Sequence, residues 1–216
     1  MLEREREHVA AGARRLAENG LVIGSAGNIS ERAGERVAIT PTGAVFDQLE
    51  PDQVAVLELN GDQVAGELEP TSELALHLGV YRRYEAGAVV HTHPPVGTAL
   101  SCVIDELPVV HYQMLLLGGP VRVAPYRTFG SEELAEVTID ALEDRAAALM
   151  ANHGAITHGA DLEGAISQSL LLEWACELYW RARAIGPPRS LDQGQIEGVV
   201  ETAMARRYGS MRRIGE

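Results

Sequence analysis

The chain has 216 residues, of which 18 are basic and 31 acidic, giving a formal net charge of −13. Every basic residue is arginine, which excludes a lysine Schiff base, a lysine general base and a P-loop lysine. The acidic balance argues against nucleic acid as a partner, because such a partner calls for a basic patch.

Leu2 to Glu18 reads as an amphipathic helix, with Val9, Ala13, Leu16 and Ala17 on one stripe and Asn19-Gly20 as its stop. Leu21 to Ile23 leads into a small-residue turn, Gly24 to Ser30. Val37 to Thr40 is a short strand ending at Pro41-Thr42-Gly43, and Val54 to Leu59 forms a hairpin around Asn60-Gly61. Pro70-Thr71-Ser72-Glu73 opens a helix to about Tyr84. Ala88 to His93 is an apolar strand ending in histidines, and Pro94 to about Ile104 suits a helix with Pro at its start. Pro108 to Val110 and Val121 to Ala124 are strand candidates. Ser131 to Leu142 is a helix with Ser131 as N-cap. Ala148 to Ala151 is a buried strand ending at Asn152-His153-Gly154. Leu162 to Ile185 is a long helix closed by Gly186-Pro187-Pro188, followed by a last helix and a polar tail, Arg206 to Glu216.

No repeat or linker interrupts this series, so residues 1–216 are expected to form a single α/β or α+β domain. Cys102 and Cys176 lie far apart without metal-ligand spacing, which suits a reduced, cytoplasmic protein. No stretch is long and apolar enough for a membrane span, so no membrane partner is expected.

The histidines carry the first chemical signal. His91 and His93 are two apart on a strand and therefore share a face, from which both imidazoles reach one metal ion. His153 sits in a similar strand-end setting and is the candidate third ligand. Three imidazoles with an open fourth position is the pattern of catalytic zinc. The competing reading is a chance pair on a surface turn. Glu73 is a candidate partner, or else a carboxylate complementing the helix dipole. His77, one turn on, is a fourth ligand, a supporting residue or a core residue; His8 and His158 are expected to be structural or solvated.

A second signal is shared by Gly27-Asn28, Thr42-Gly43 and Thr71-Ser72. Each places backbone N–H groups and hydroxyls, or an amide, at a turn or helix start. Such groups cradle a phosphate without a lysine.

These residues fall within Gly24 to Ser30, Thr40-Pro41-Thr42-Gly43, Glu69 to Glu73, Val90-His91-Thr92-His93-Pro94, Ala124-Pro125-Tyr126 with Thr128-Phe129-Gly130, and Asn152-His153-Gly154. In that order and spacing, over roughly residues 7 to 185, the chain resembles the class II aldolase/adducin family. The resemblance implies a three-layer α/β fold, its central, mostly antiparallel sheet flanked by helices. It implies one Zn²⁺ per subunit on His91, His93 and His153, with Glu73 as zinc neighbour and catalytic acid/base. It implies a substrate phosphate held by Gly27, Asn28, Thr42, Gly43, Thr71 and Ser72. Tyr112 matches a proton-donating tyrosine that reaches a neighbouring subunit's site in a homotetramer, and Tyr208 matches loosely a C-terminal tyrosine.

The implied reaction cleaves a phosphorylated ketose of the L-fuculose 1-phosphate kind to dihydroxyacetone phosphate and an aldehyde, through a metal-stabilised enediolate. A sugar-phosphate 4-epimerase, a methylthioribulose-1-phosphate dehydratase and an oxo-acid-phosphate decarboxylase share that chemistry and stay open. So does a non-catalytic adducin-type scaffold, although scaffold members have lost the ligands present here. A zinc hydrolase also matches three histidines and a glutamate.

Overall fold

The computed structural model describes residues 1–206, so Tyr208 and most of the expected polar tail lie outside the described residues. In chain order the elements are α1 (Glu3–Glu18), β1 (Asn28–Ala33), β2 (Arg36–Ile39), β3 (Ala55–Glu58), β4 (Gln63–Ala65), α2 (Leu74–Arg83), β5 (Ala88–Thr92), α3 (Pro95–Ser101), β6 (Glu106–Leu107), β7 (Val121–Ala124), α4 (Glu132–Ala141), β8 (Ala147–Met150), β9 (Gly154–Gly159), α5 (Leu162–Ile185) and α6 (Gln193–Arg206). One sheet carries the strands in the order β4-β3-β2-β1-β5-β9-β8-β7-β6. Every pairing is antiparallel except β7 with β8, which is parallel.

Helices cover both faces, and the period-two alternation of the strands decides which residue meets which layer. On one face, Ile39, Leu57, Val89, Met150 and Ile156 pack with Leu76 and Val80 of α2 and Leu134 and Ala135 of α4. On the other, Ile29, Ala38, Ala88 and Val90 pack with Val9, Ala13 and Leu16 of α1 and with Leu162, Ala165 and Ile166 of α5. A third cluster joins Leu107, Met114, Leu117, Val121 and Leu149 to Leu172 and Ala175 of α5. This is the expected three-layer arrangement around a mostly antiparallel sheet. Leucine, valine and alanine fill it, each large side chain contributing about 1.5–3 kcal/mol by leaving water.

The strands differ from the expectation in three places. The expected turn from Gly24 to Ser30 gives way at Asn28 to β1, a central strand whose first three residues are all buried. Residues 154–159, expected as turn and loop, form β9, which puts His158 on a strand where it stacks on Tyr84 at 5.3 Å. The strand expected at Pro108 to Val110 sits two residues earlier, as β6. Proline has no N–H to give to a ladder, so pairing stops before Pro108.

The site lies where β1, β5 and β9 adjoin. Asn28 is opposite His91, and His91 is opposite Ile156, while Thr92 is opposite Ala155. The ladder thus brings the start of β1, the end of β5 and the start of β9 to one edge.

Candidate active site

His91 is fully buried, and its Nδ1–H donates to the Ala155 carbonyl at 2.9 Å. That bond settles the ring orientation. It aims Nε2 at Glu73 Oε2, 3.0 Å away, and at His93 Nε2, also 3.0 Å away. His153 Nε2 faces the other carboxylate oxygen, Glu73 Oε1, at 3.6 Å. The three histidine ligand atoms lie within 4.8 Å of one another. The rings stand edge to face, with centroids 4.8–5.0 Å apart. The strand-end pair and the third histidine therefore do converge.

Two backbone features hold that convergence. Asn152 has φ 55°, a left-handed conformation that a non-glycine residue seldom adopts, and it turns the chain so that His153 points inward. Gly154 follows at a close approach, where a Cβ would lie 2.4 Å from the Thr92 carbonyl and 3.0 Å from the His93 ring. Only glycine leaves room for the imidazoles there.

Glu73 occupies the N-cap position of α2 rather than its first turn, and its side chain makes no cap bond. Thr71 Oγ1 instead accepts from the Glu73 backbone N–H. The carboxylate is free to enter the site, where Asn28 Nδ2–H donates to Oε2 at 2.9 Å. Oε1 is buried and has no hydrogen-bond partner.

The electrostatics follow. Burial alone would raise the Glu73 carboxyl, but the charge and hydrogen bond of His91 and the Asn28 amide hold it well below the usual carboxylate range. Burial would likewise discharge His91, but the Glu73 carboxylate outweighs it and raises the imidazole. His93 and His153 are pushed down to about 3 and about 4, first by burial and then by the charge at His91. Both are neutral imidazoles, the form that binds metal. Three Nε2 atoms around a carboxylate with an unpartnered buried oxygen form a set of electron-pair donors in need of positive charge. A divalent cation of the zinc type would fit this set, held by His91, His93 and His153.

The three small-residue turns join the same cleft, a cavity of about 480 Å³. Gly27, Asn28, Thr42, Gly43, Thr71 and Ser72 all line it, together with Glu73, His93 and His153. The turns are drawn together by a bridge between Pro41 and Pro70. Thr42 N–H bonds the Glu69 carbonyl at 3.0 Å, and Thr71 N–H bonds the Thr40 carbonyl at 3.1 Å. Those two amides are committed to the fold, while Thr42, Thr71, Ser72 and Asn28 all line the cavity and bring three hydroxyls and an amide to its wall. Gly27, at φ 120°, is held against the His91 carbonyl, so its turn packs directly on β5.

Tyr126, Arg127 and Phe129 form the rim, with Phe129 70 % exposed. No spacing argument marked them, since their motif carried no assigned role. Arg127 is the one arginine among the described residues that line the cleft. Tyr112 does not line it. It lies against His111 and borders a groove formed with α6. His77 is fully buried behind the site, not among the converging ligand atoms, while His8 pairs with Glu31 at the surface.

Residues 7–180 match the family model for the class II aldolase and adducin N-terminal domain. The chain is 36 % identical to the 5-deoxy-D-ribulose 1-phosphate aldolase of Bacillus thuringiensis serovar kurstaki, covering 93 % of this chain and 96 % of that one. It is 38 % identical to the 5-methylthioribulose-1-phosphate/5-deoxyribulose-1-phosphate aldolase of Rhodospirillum rubrum, over 88 % of this chain and 86 % of the relative. A solved L-fuculose 1-phosphate aldolase superposes with a TM-score of 0.89 at 32 % identity, covering 93 % of this chain and 96 % of that one. The chain belongs to the class II aldolase and adducin family, and within it is an enzyme, an aldehyde-lyase.

Proposed function

We propose that this enzyme cleaves a ketose 1-phosphate to dihydroxyacetone phosphate and a short aldehyde, with one Zn²⁺ held by His91, His93 and His153. The observation that carries this reading is the meeting, at one cleft, of three converging imidazoles, an ionised buried glutamate, two hydroxyl-bearing turns and the Gly27-Asn28 turn. When bound, the metal supplies Lewis-acid charge to the carbonyl next to the bond that breaks.

The chain's own residues do the rest. The hydroxyls of Thr42, Thr71 and Ser72 and the Asn28 amide bind the phosphate, with Gly27 and Gly43 allowing its close approach. No lysine is available, so neutral donors bind the phosphate, with Arg127 as the one arginine among the described residues lining the cleft. Glu73 moves the proton at the carbon of the dihydroxyacetone half from which the aldehyde departs, and its fixed position beside His91 sets the face of attack. Tyr112 takes the proton from the hydroxyl of the aldehyde half. It lines no part of its own chain's cleft, which supports its serving a neighbouring copy in a homotetramer with sites at subunit interfaces.

The named relatives act on 1-phosphorylated sugars whose far end is deoxy or methylthio. The exposed aromatic rim of Tyr126 and Phe129 supports an apolar terminus in this substrate too, with 5-deoxyribulose 1-phosphate as the first candidate and L-fuculose 1-phosphate as the second. Among the described residues no helix is long and apolar enough to cross a membrane. The free thiols of Cys102 and Cys176 support a cytoplasmic setting.

A panel of ketose 1-phosphates and 5-phosphates offered to the zinc-loaded enzyme tests the reading. Triose phosphate release from a 1-phosphate is expected. An epimer, a dehydrated product or carbon dioxide without triose phosphate would assign a sister reaction instead.

A further inference from the structure

A file of buried polar groups runs from α2 to the back of Glu73. Tyr81 Oη lies 2.7 Å from Ser30 Oγ, and Ser30 Oγ lies 2.7 Å from His77 Nδ1. His77 Nε2 lies 2.5 Å from Asn28 Oδ1, and Asn28 Nδ2 lies 2.9 Å from Glu73 Oε2. All five side chains are buried, so water does not substitute for a broken link.

The direction of every hydrogen in this file follows from its Glu73 end. A carboxylate only accepts, so Asn28 must present its NH₂ to Glu73. Its carbonyl oxygen then faces His77 and must receive a hydrogen, so His77 Nε2 carries one. A neutral imidazole protonated at Nε2 has a bare Nδ1, which accepts from the Ser30 hydroxyl. Ser30 in turn accepts from Tyr81. Each donor points toward Glu73, and reversing any one link would set two acceptors or two hydrogens against each other.

We propose that His77 is a positioning residue: held as the Nε2–H tautomer by Ser30, it locks the Asn28 carboxamide in the one orientation that donates to Glu73. A histidine that merely filled the core would be replaced by leucine with little effect on turnover. Without the His77 donor the Asn28 amide loses one of the two partners that fix it, and only Glu73 still opposes its turning over. In the turned amide the carbonyl would oppose the Glu73 carboxylate, and the NH₂ would leave the wall that faces the phosphate turns. One rotation would disturb both halves of the site. The effect on turnover rests on the aldolase reading, whereas the tautomer does not.

The test joins a spectrum to a variant pair. Nitrogen-15 NMR of histidine-labelled protein reports the state of each ring nitrogen at neutral pH, and His77→Leu identifies the His77 signals by their loss. An Nε2–H tautomer at His77 is expected; an Nδ1–H tautomer or an imidazolium overturns the proposal. In zinc-loaded protein, His77→Leu is expected to lower kcat by about 10–100-fold, as loss of a partner behind a metal site does. His77→Gln, which keeps an N–H near the place of Nε2, recovers most of that loss. Equal turnover in His77→Leu and wild type overturns the proposal, as does a Gln variant no better than Leu. Should His77→Leu not fold, Ser30→Ala takes its place. It removes the hydroxyl that fixes Nδ1 and is expected to change the tautomer signal and lower kcat, and an unchanged signal and rate would overturn the proposal. If wild-type protein cleaves no ketose phosphate, the aldolase reading fails and the tautomer alone decides.

Discussion

Gly154→Ala should damage both the fold and the metal centre, by an amount that can be worked from the structure. The added Cβ would lie 2.4 Å from the Thr92 carbonyl, about 0.6 Å inside the 3.0 Å limit that real Cβ contacts respect. It would also stand 3.0 Å from the His93 ring and 3.3 Å from the His91 ring. The carbonyl cannot retreat alone, because Thr92 is paired with Ala155 in the ladder that carries His91. Overpacking of this kind costs about 1–3 kcal/mol. At about 2–4 °C per kcal/mol for a chain of this size, the melting temperature of metal-free protein should fall by about 2–12 °C. Because the strain falls on two imidazoles, zinc affinity should fall by about 10–100-fold, read by competition with a chromophoric chelator. A variant that melts with wild type and binds zinc equally well would refute the claim that this glycine keeps the space for the ligand rings.

Three further outcomes are expected. Ser72→Ala and Thr42→Val each remove a hydroxyl proposed to bind the phosphate, and should lower kcat/KM by about 10–150-fold, the value of a hydrogen bond to a charged group; losses below about twofold would move the phosphate elsewhere. Mixing Glu73→Gln with Tyr112→Phe, each inactive alone, should restore part of the activity in hybrid assemblies if Tyr112 serves a neighbouring copy, and no recovery would place the tyrosine in its own chain's chemistry. For pH dependence, burial lowers His77 from its ordinary 6.5 to about 3 in the folded chain. Above about 6.5 both folded and unfolded forms are neutral and its contribution is complete; below it the unfolded chain takes a proton that the native chain refuses. Metal-free protein should therefore lose about 1.4 kcal/mol per pH unit from this group as pH falls toward about 3, and His77→Gln should lose that component of the slope in urea melts.

The helices and the apolar strands were legible in the sequence because burial writes a pattern. The range Leu162–Ile185 for α5 coincides with the expectation, and Ser131 caps α4 through the Leu134 N–H as its position implied. The missed strands had no such pattern. Asn28-Ile29-Ser30 lies at the sheet centre with two polar residues buried, because one faces Glu73 and the other faces His77. A strand whose buried side chains serve chemistry carries polar residues on a buried face, so burial there leaves no apolar signature. Residues 154–159 begin and end with glycine, and the first of these is there to admit imidazoles. The same reason explains the site. His91, His93 and His153 showed themselves by strand-end position, but the file through Ser30, His77 and Asn28 joins residues 47 and 49 apart in sequence, and only the sheet register brings them together.

Glu73 is proposed to move a proton at the carbon where the bond breaks. Incubating dihydroxyacetone phosphate with zinc-loaded enzyme in deuterium oxide, without an aldehyde, tests it directly. Proton NMR should show one hydrogen of the free hydroxymethyl carbon exchanging with wild type and neither with Glu73→Gln. Equal exchange by the two proteins, or none by a wild type that cleaves its substrate, would contradict the account.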